Sequence, residues 1–300
     1  MDDAELVATR FEAHRSRLRS VAYRMLGSLS DADDAVQEAW LRLHRTDAAT
    51  IDNFGGWLTT VVGRVCLDML RQRTARREDP MGAQLPDPVL SRIDGNGPED
   101  QLLPADSVGL ALLVVLDTLS PAERLAFVLH DLFGVSFDRI APIVDRSPGA
   151  AMQLASRARR RVHGAAPVPD TDRARQRQVV DAFLTAVRAG DFDALLAVLD
   201  PDVVLRADRG AAGPAVHRGA ATVAARALGF AHLAQAARPV LVNGAVGLLV
   251  APDGRPHSVL AFTIADGTIA EIDILADPVR LGDLDLPGID GPGGLDHHTR

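Results

Sequence analysis

The 300-residue sequence contains no lysine, so apart from histidine every cationic side chain is an arginine. Its single cysteine, Cys66, excludes an internal disulfide and fits a reducing compartment. Aromatic residues make up 4% of the chain, so its cores must be built from Leu, Val, Ala and Ile. No apolar run approaches the roughly 18 residues that span a bilayer. The longest candidate, around Leu110 to Leu116, is far too short, and no membrane partner is expected. The opening MDDAELVATR is acidic and lacks an apolar signal core, which predicts a cytoplasmic location. No metal-ligand spacing occurs, and His297-His298 sits in a tail. Neither a metal nor a cofactor is expected.

A formal net charge of -8 argues against nucleic-acid binding, but the average hides the distribution. Residues 146–161, RSPGAAMQLASRARRR, hold five arginines and no acid, whereas residues 31–38, DADDAVQE, are acidic. A local basic patch is what meets DNA.

The chain reads as a series of blocks. Residues 5–79 have apolar residues at three- and four-residue spacing without a proline. Residues 80–106 are rich in proline and glycine and read as a linker. Helical periodicity returns over 107–163, and a second linker covers 164–175. Beyond it, residues 172–199 predict a helix pair. Strand-like runs follow at 203–207, 239–251 and 257–277, with turn signals at Asp253-Gly254 and Asp266-Gly267. From 283 the chain is rich in glycine, proline and acid, the composition of a disordered tail.

Within 107–163 the punctuation is that of a helix-turn-helix. Ser120 can cap a helix with Pro121 at its first position and Glu123 at its third, and Gly134 stops that helix. Ser136 starts a second helix whose Phe137, Ile140 and Ile143 face inward. Asp145-Arg146 makes the turn, and Ser147 caps the last helix. That helix keeps Ala151, Leu154, Ala155, Ala158 and Val162 for packing. Ser147 at its start, with Gln153, Ser156, Arg157, Arg159, Arg160 and Arg161, is left for DNA bases and phosphates. Such a basic face also occurs as a solvated helix end, where cations relieve the dipole. The correctly spaced preceding helix and turn favour DNA.

The stretches AYRMLGSLSDADDAVQEAWLRLHR and NFGGWLTTVVGRVCLDMLRQRTARRE resemble region two of extracytoplasmic-function sigma factors of the sigma-70 family. The helix-turn-helix block resembles their region four, and together the resemblance covers residues 5–163. It implies core RNA polymerase, through its clamp and flap, and promoter DNA as partners. In this reading a helix capped by Ser30 and Asp33 docks on the polymerase through Asp34, Gln37, Glu38 and Arg42. The next helix, from Trp57 to Arg73, carries Arg64, Arg71, Arg73, Arg76 and Arg77 for the melted strand. The loop before it offers Asp52, Asn53 and Phe54 as a pocket for an unstacked base. Trp57 reads as core, with base stacking as its alternative, and Cys66 reads as core.

Residues 176–282 resemble a SnoaL-like domain, a cone of helices on a curved sheet. The fold class is therefore multi-domain: two all-α sigma domains and a C-terminal α+β cone. Sigma factors with this extension carry three further motifs, each altered here. They stand as Gln84-Leu85-Pro86-Asp87-Pro88, Asp208-Arg209-Gly210-Ala211-Ala212 and Asp277-Pro278-Val279-Arg280-Leu281. An arginine common in relatives at the recognition helix is Met152. The resemblance implies that the extension meets the linker, so Leu85, Pro86, Asp87, Pro88, Asp208, Asp277 and Arg280 are the expected contact residues. A small-molecule ligand in the cone is a further partner to consider. Two alternatives stand beside this reading. One is a ligand-responsive helix-turn-helix regulator. The other is a cyclase or isomerase using Asp208 with His217 or His232 as acid and base.

Overall fold

The computed structural model describes residues 3–47, 50–75, 85–93, 109–165, 167 and 169–286. Arg76, Arg77, Gln84, His297-His298 and most of the 80–106 linker lie outside the described residues. The chain divides into two compact units, one of residues 1–81 and 111–166, the other of 82–110 and 167–300.

In the first unit, α1 (Asp3–Leu26), α2 (Leu29–His44) and α3 (Phe54–Ala75) pack around Phe11, Leu18, Met25, Leu43, Leu58 and Leu67. Helix α2 starts earlier than expected. Ser28, not Ser30, is its N-cap, with extended backbone after the left-handed Gly27 and a side chain that accepts from the Asp31 amide. Ser30 lies inside the helix and shares a hydroxyl hydrogen bond with Ser28.

The helix-turn-helix follows as α4 (Leu110–Asp117), α5 (Pro121–Phe127), α6 (Phe137–Val144) and α7 (Pro148–Ala165). Ser120 and Glu123 close a reciprocal capping box at the start of α5. Helix α5 widens into a π turn over Val128–Leu132, and the left-handed Gly134 ends it. Asp145, also left-handed, makes the turn into α7. Helices α5 and α6 lie across α3 at Gly63. A Cβ there would stand 3.3 Å from a methyl of Leu129, so a glycine permits the approach. Phe137 is half-buried and stacks on His130.

The second unit opens with β1 (Leu90–Ser91) from the linker, then α8 (Arg173–Ala189) and α9 (Phe192–Val198). Strands β2 (Leu199–Asp208) and β3 (Ala215–Arg218) precede α10 (Ala220–Gly229). Strands β4 (Ala237–Val242), β5 (Ala245–Val250), β6 (Ser258–Ala265) and β7 (Thr268–Leu275) follow, and α11 (Pro278–Gly282) comes last. The sheet order is β1-β4-β5-β6-β7-β2-β3, with only the β2–β7 pairing parallel. One face packs Leu205, Leu248, Phe262 and Ile272 against Val180, Phe183, Leu195 and Val223 of the helices. The run 239–251 is two strands, not one. Asn243-Gly244 turns between them with both φ angles positive, as Asp266-Gly267 does between β6 and β7.

Two expectations for the second unit need correction. Residues 85–93, expected to meet the extension as part of a linker without strands of its own, add an edge strand to the sheet, with Leu90 opposite Val242. A two-residue strand carries no periodicity to read. The tail expected from 283 is corrected at its start, where Leu286 is buried; residues 287–300 lie outside the described residues.

Candidate functional site

The outer face of α7 follows from its burial pattern. Ala151, Ala155 and Ala158 are fully buried, while Met152, Gln153, Arg157, Arg160 and Arg161 are exposed and Ser156 and Arg159 half-buried. Ser147 is exposed and its hydroxyl accepts from the Ala150 amide, as a cap should. The arginines are less free than their clustering suggests. Arg157 and Arg161 reach Glu123 at 3.0 and 2.9 Å, and Arg159 reaches Asp131 at 2.5 Å. Burial tends to raise the Glu123 carboxyl, but hydrogen bonds from Ser120 and Arg157 and the charge of Arg161 hold it below its ordinary value. The arginine side chains of these pairs are 38–55% exposed, whereas Glu123 is 8% exposed and also accepts from the Ser120 hydroxyl. Arg160 has no ion-pair partner among the described residues. Arg160→Ala is therefore expected to weaken DNA binding uniformly across sequences and to reduce the salt slope by about one. Binding titrations over a range of salt concentrations check this, and an unchanged slope would remove Arg160 from the phosphate contacts.

The loop before α3 differs from expectation at Phe54. This residue is the first of the helix, only 5% exposed, with the Arg10 guanidinium 4.2 Å over its ring. It is occupied in packing rather than open to a base. Asp52 and Asn53 are exposed, and Asn53 accepts from the Gly56 amide at 2.8 Å, so it caps α3. Asp52, Asn53, half-buried Trp57 and Thr60 line a cleft of about 440 Å³ closed on its far side by Asp138, Arg139 and Pro142 of α6. A Cβ at Gly56 would collide with the Arg139 guanidinium.

Along α3, Arg64 is exposed and donates to the Pro142 carbonyl at 3.2 Å. Arg71 is exposed beside Asp68. Arg73, expected on the free cationic face, is half-buried, paired with Asp31 and bonded to the Leu26 carbonyl. It joins α3 to the start of α2.

Helix α2 buries Ala32, Ala35, Val36, Ala39 and Leu43 and turns Asp34 and Gln37 to solvent. Glu38 and Arg42 are half-buried and paired at 2.9 Å. Leu41, which sequence reasoning missed, is 44% exposed on the same face at helical spacing from Asp34, Gln37 and Glu38. That face is an acidic surface with an apolar centre.

In the second unit the three altered motifs meet at one place. Arg280, 15% exposed, donates to the Leu85 carbonyl at 2.6 Å, pairs with Asp87, and reaches Asp208 at 2.5 Å. Leu85, Pro86 and Pro88 are buried. Asp277 caps α11 by accepting from the Val279 amide. Asn243, also missed, exchanges two hydrogen bonds with Val89, its side chain accepting at 3.0 Å and its amide donating at 2.8 Å. The linker is thus fastened to the cone at both ends of a short stretch.

The acid–base reading of the cone finds no support in this geometry. The Asp208 carboxylate is taken by Arg280 and the Gly210 amide. Desolvation, then Arg226 and Arg209, push His217 below its usual value, and His232 is exposed. No metal-binding cluster occurs among the described residues. Beneath the sheet's other face, Arg206 pairs with Glu271 and Asp273, which are 7% and 2% exposed. No helix among the described residues is long and apolar enough to cross a membrane.

Against known proteins, residues 10–76 match the family described as Sigma-70 region 2, and residues 109–162 match Sigma-70, region 4. The ECF RNA polymerase sigma factor SigJ of Mycobacterium tuberculosis is 40% identical over 285 residues, covering 89% of this chain and 91% of that protein. The probable ECF sigma factor SigI of the same species is 35% identical over 293 residues, covering 95% and 98%. The crystal structure of Mycobacterium tuberculosis SigJ is similar with a TM-score of 0.76 and 37% identity, over 93% of this chain and 99% of that one.

Proposed function

Given that the chain belongs to the extracytoplasmic-function sigma factors of the sigma-70 family, we propose that α2, α3 and α7 divide the work of initiation between them. A sigma factor binds core RNA polymerase and directs it to promoters. Here residues 5–79 act as region two, 107–163 as region four, and 176–282 as an appended SnoaL-like domain. The α2 face of Asp34, Gln37, Glu38, Leu41 and Arg42 docks on the polymerase. Gln153 and Ser156 of α7 read duplex bases, and Arg157, Arg159, Arg160 and Arg161 exchange their carboxylate partners for phosphates. Asp52 and Asn53, with Arg64 and Arg71, serve the melted strand. The protein acts in the cytoplasm with the polymerase and performs no covalent chemistry. The cone acts on initiation through the linker it holds at Leu85, Asp87 and Val89.

The observation that carries this reading is α7, whose alanine face is buried under a helix with an intact capping box while its hydrogen-bonding face is left open. Co-purification with core polymerase, then run-off transcription from a promoter selected in vitro, tests it. The full chain is expected to bind core and initiate. A variant carrying Asp34→Arg, Gln37→Arg and Leu41→Arg together should lose core binding by about tenfold or more, because buried interface anchors dominate affinity. Equal retention of both chains would overturn the assignment of α2.

A further inference from the structure

One residue on the recognition surface has no role among the polar and cationic contacts. Met152 is 52% exposed, in the second turn of α7, beside exposed Gln153 and Gly149. Ala151 and Ala155, on either side of it in sequence, are fully buried. A single exposed apolar residue usually needs no explanation. Its position here supplies one, because the N-terminal half of the second helix is the part that enters the major groove. The apolar feature in that groove is the C5-methyl of thymine, which cytosine, the other pyrimidine, lacks. A thioether on an unbranched, adaptable stem suits contact with a small methyl. Gln153 adjoins Met152 in sequence, and Ser156 follows one turn later, so hydrogen-bond readers flank it along the helix.

We propose that Met152 is a specificity-determining residue that reads thymine through its C5-methyl group in the duplex element entered by α7. This rests on the reading of α7 as the promoter-recognition helix. Discrimination comes from removing two apolar surfaces from water together, with no hydrogen bond involved. Uracil, identical to thymine except for that methyl, should therefore be disfavoured at one position of the element.

The test uses the full chain assembled with core polymerase. Preferred duplexes are selected from a randomised pool, and each thymine of the selected element is then replaced singly by uracil. The wild-type holoenzyme should lose about fourfold in binding and initiation at one thymine, the worth of one methyl group taken out of water. Met152→Ala should treat thymine and uracil alike at that position while still binding core, and Gln153→Ala should keep the thymine preference. A wild-type holoenzyme indifferent to every replacement, or a Met152→Ala variant that keeps the preference, overturns the proposal. A holoenzyme that selects no duplex and initiates nowhere overturns instead the reading of α7 on which it rests, and the inference with it.

Discussion

Arg280→Ala is expected to destabilise the second unit by about 3 kcal/mol. The guanidinium is 15% exposed, and its partners Asp87 and Asp208 are 17% and 9% exposed, so the variant leaves two carboxylates that water reaches poorly. It also orphans the Leu85 carbonyl. Removing one member of a buried pair is costly because the other keeps its desolvation penalty; the remaining exposure moderates the loss. Urea unfolding of the full chain would read the change. Amide exchange at Val89 and Asn243 would localise it, since their mutual hydrogen bonds hold the same stretch of linker. An unfolding midpoint and Val89 exchange both unchanged would show that Arg280 does not fasten the linker.

The second large effect lies at Arg206. Arg206→Met is expected to lower unfolding free energy at pH 7 by about 4 kcal/mol, leaving Glu271 and Asp273 adjacent and uncompensated. The same cluster gives wild-type stability a particular pH dependence. Burial pushes Asp273 up from its ordinary 3.8 to about 6, with Arg206 pulling it partly back and Glu271 adding to the rise. A carboxyl raised on folding binds more protons in the native than in the unfolded state across that interval. Its contribution is therefore most favourable below pH 3.8 and is lost as pH climbs through about 6. The loss amounts to about 3 kcal/mol. Asp273→Asn should abolish this slope, so the difference in unfolding free energy between the two proteins should change steadily from pH 4 to pH 7. Parallel curves would contradict the assignment.

Local rules were legible in the sequence where the determinant is local. The Ser120–Glu123 capping box, the stop at Gly134 and the turn at Asp145 each depend on residues within one turn of chain, and each stands where spacing predicts. Strands β2 and β4 to β7 were legible from their apolar runs, whereas the short β3, Ala215–Arg218, was not. The Asn243-Gly244 turn was equally open to reading, but unbroken hydrophobicity on both sides disguised two strands as one.

What escaped is governed by partners distant in sequence. Arg157 finds Glu123, Arg73 finds Asp31, and Asp87 finds Arg280, across separations that no helical or strand period encodes. A count of arginines therefore overstated the free positive charge of α7. Phe54 has the composition of a loop around it, yet Arg10 and His14 of α1 enclose it. Strand β1 was hidden by its brevity. Leu41 was missed because a hydrophobic residue on a helix is ordinarily assigned inward.

Cys66 sits fully buried at the middle of α3, in the unit that also contains the helix-turn-helix, and desolvation lifts its thiol to about 12. Thiolate is the reactive species, so an alkylating reagent meets almost none in the folded unit. With no second thiol and no lysine to compete, modification of the native chain becomes a clock: each label records one occasion on which α3 parted from its neighbours.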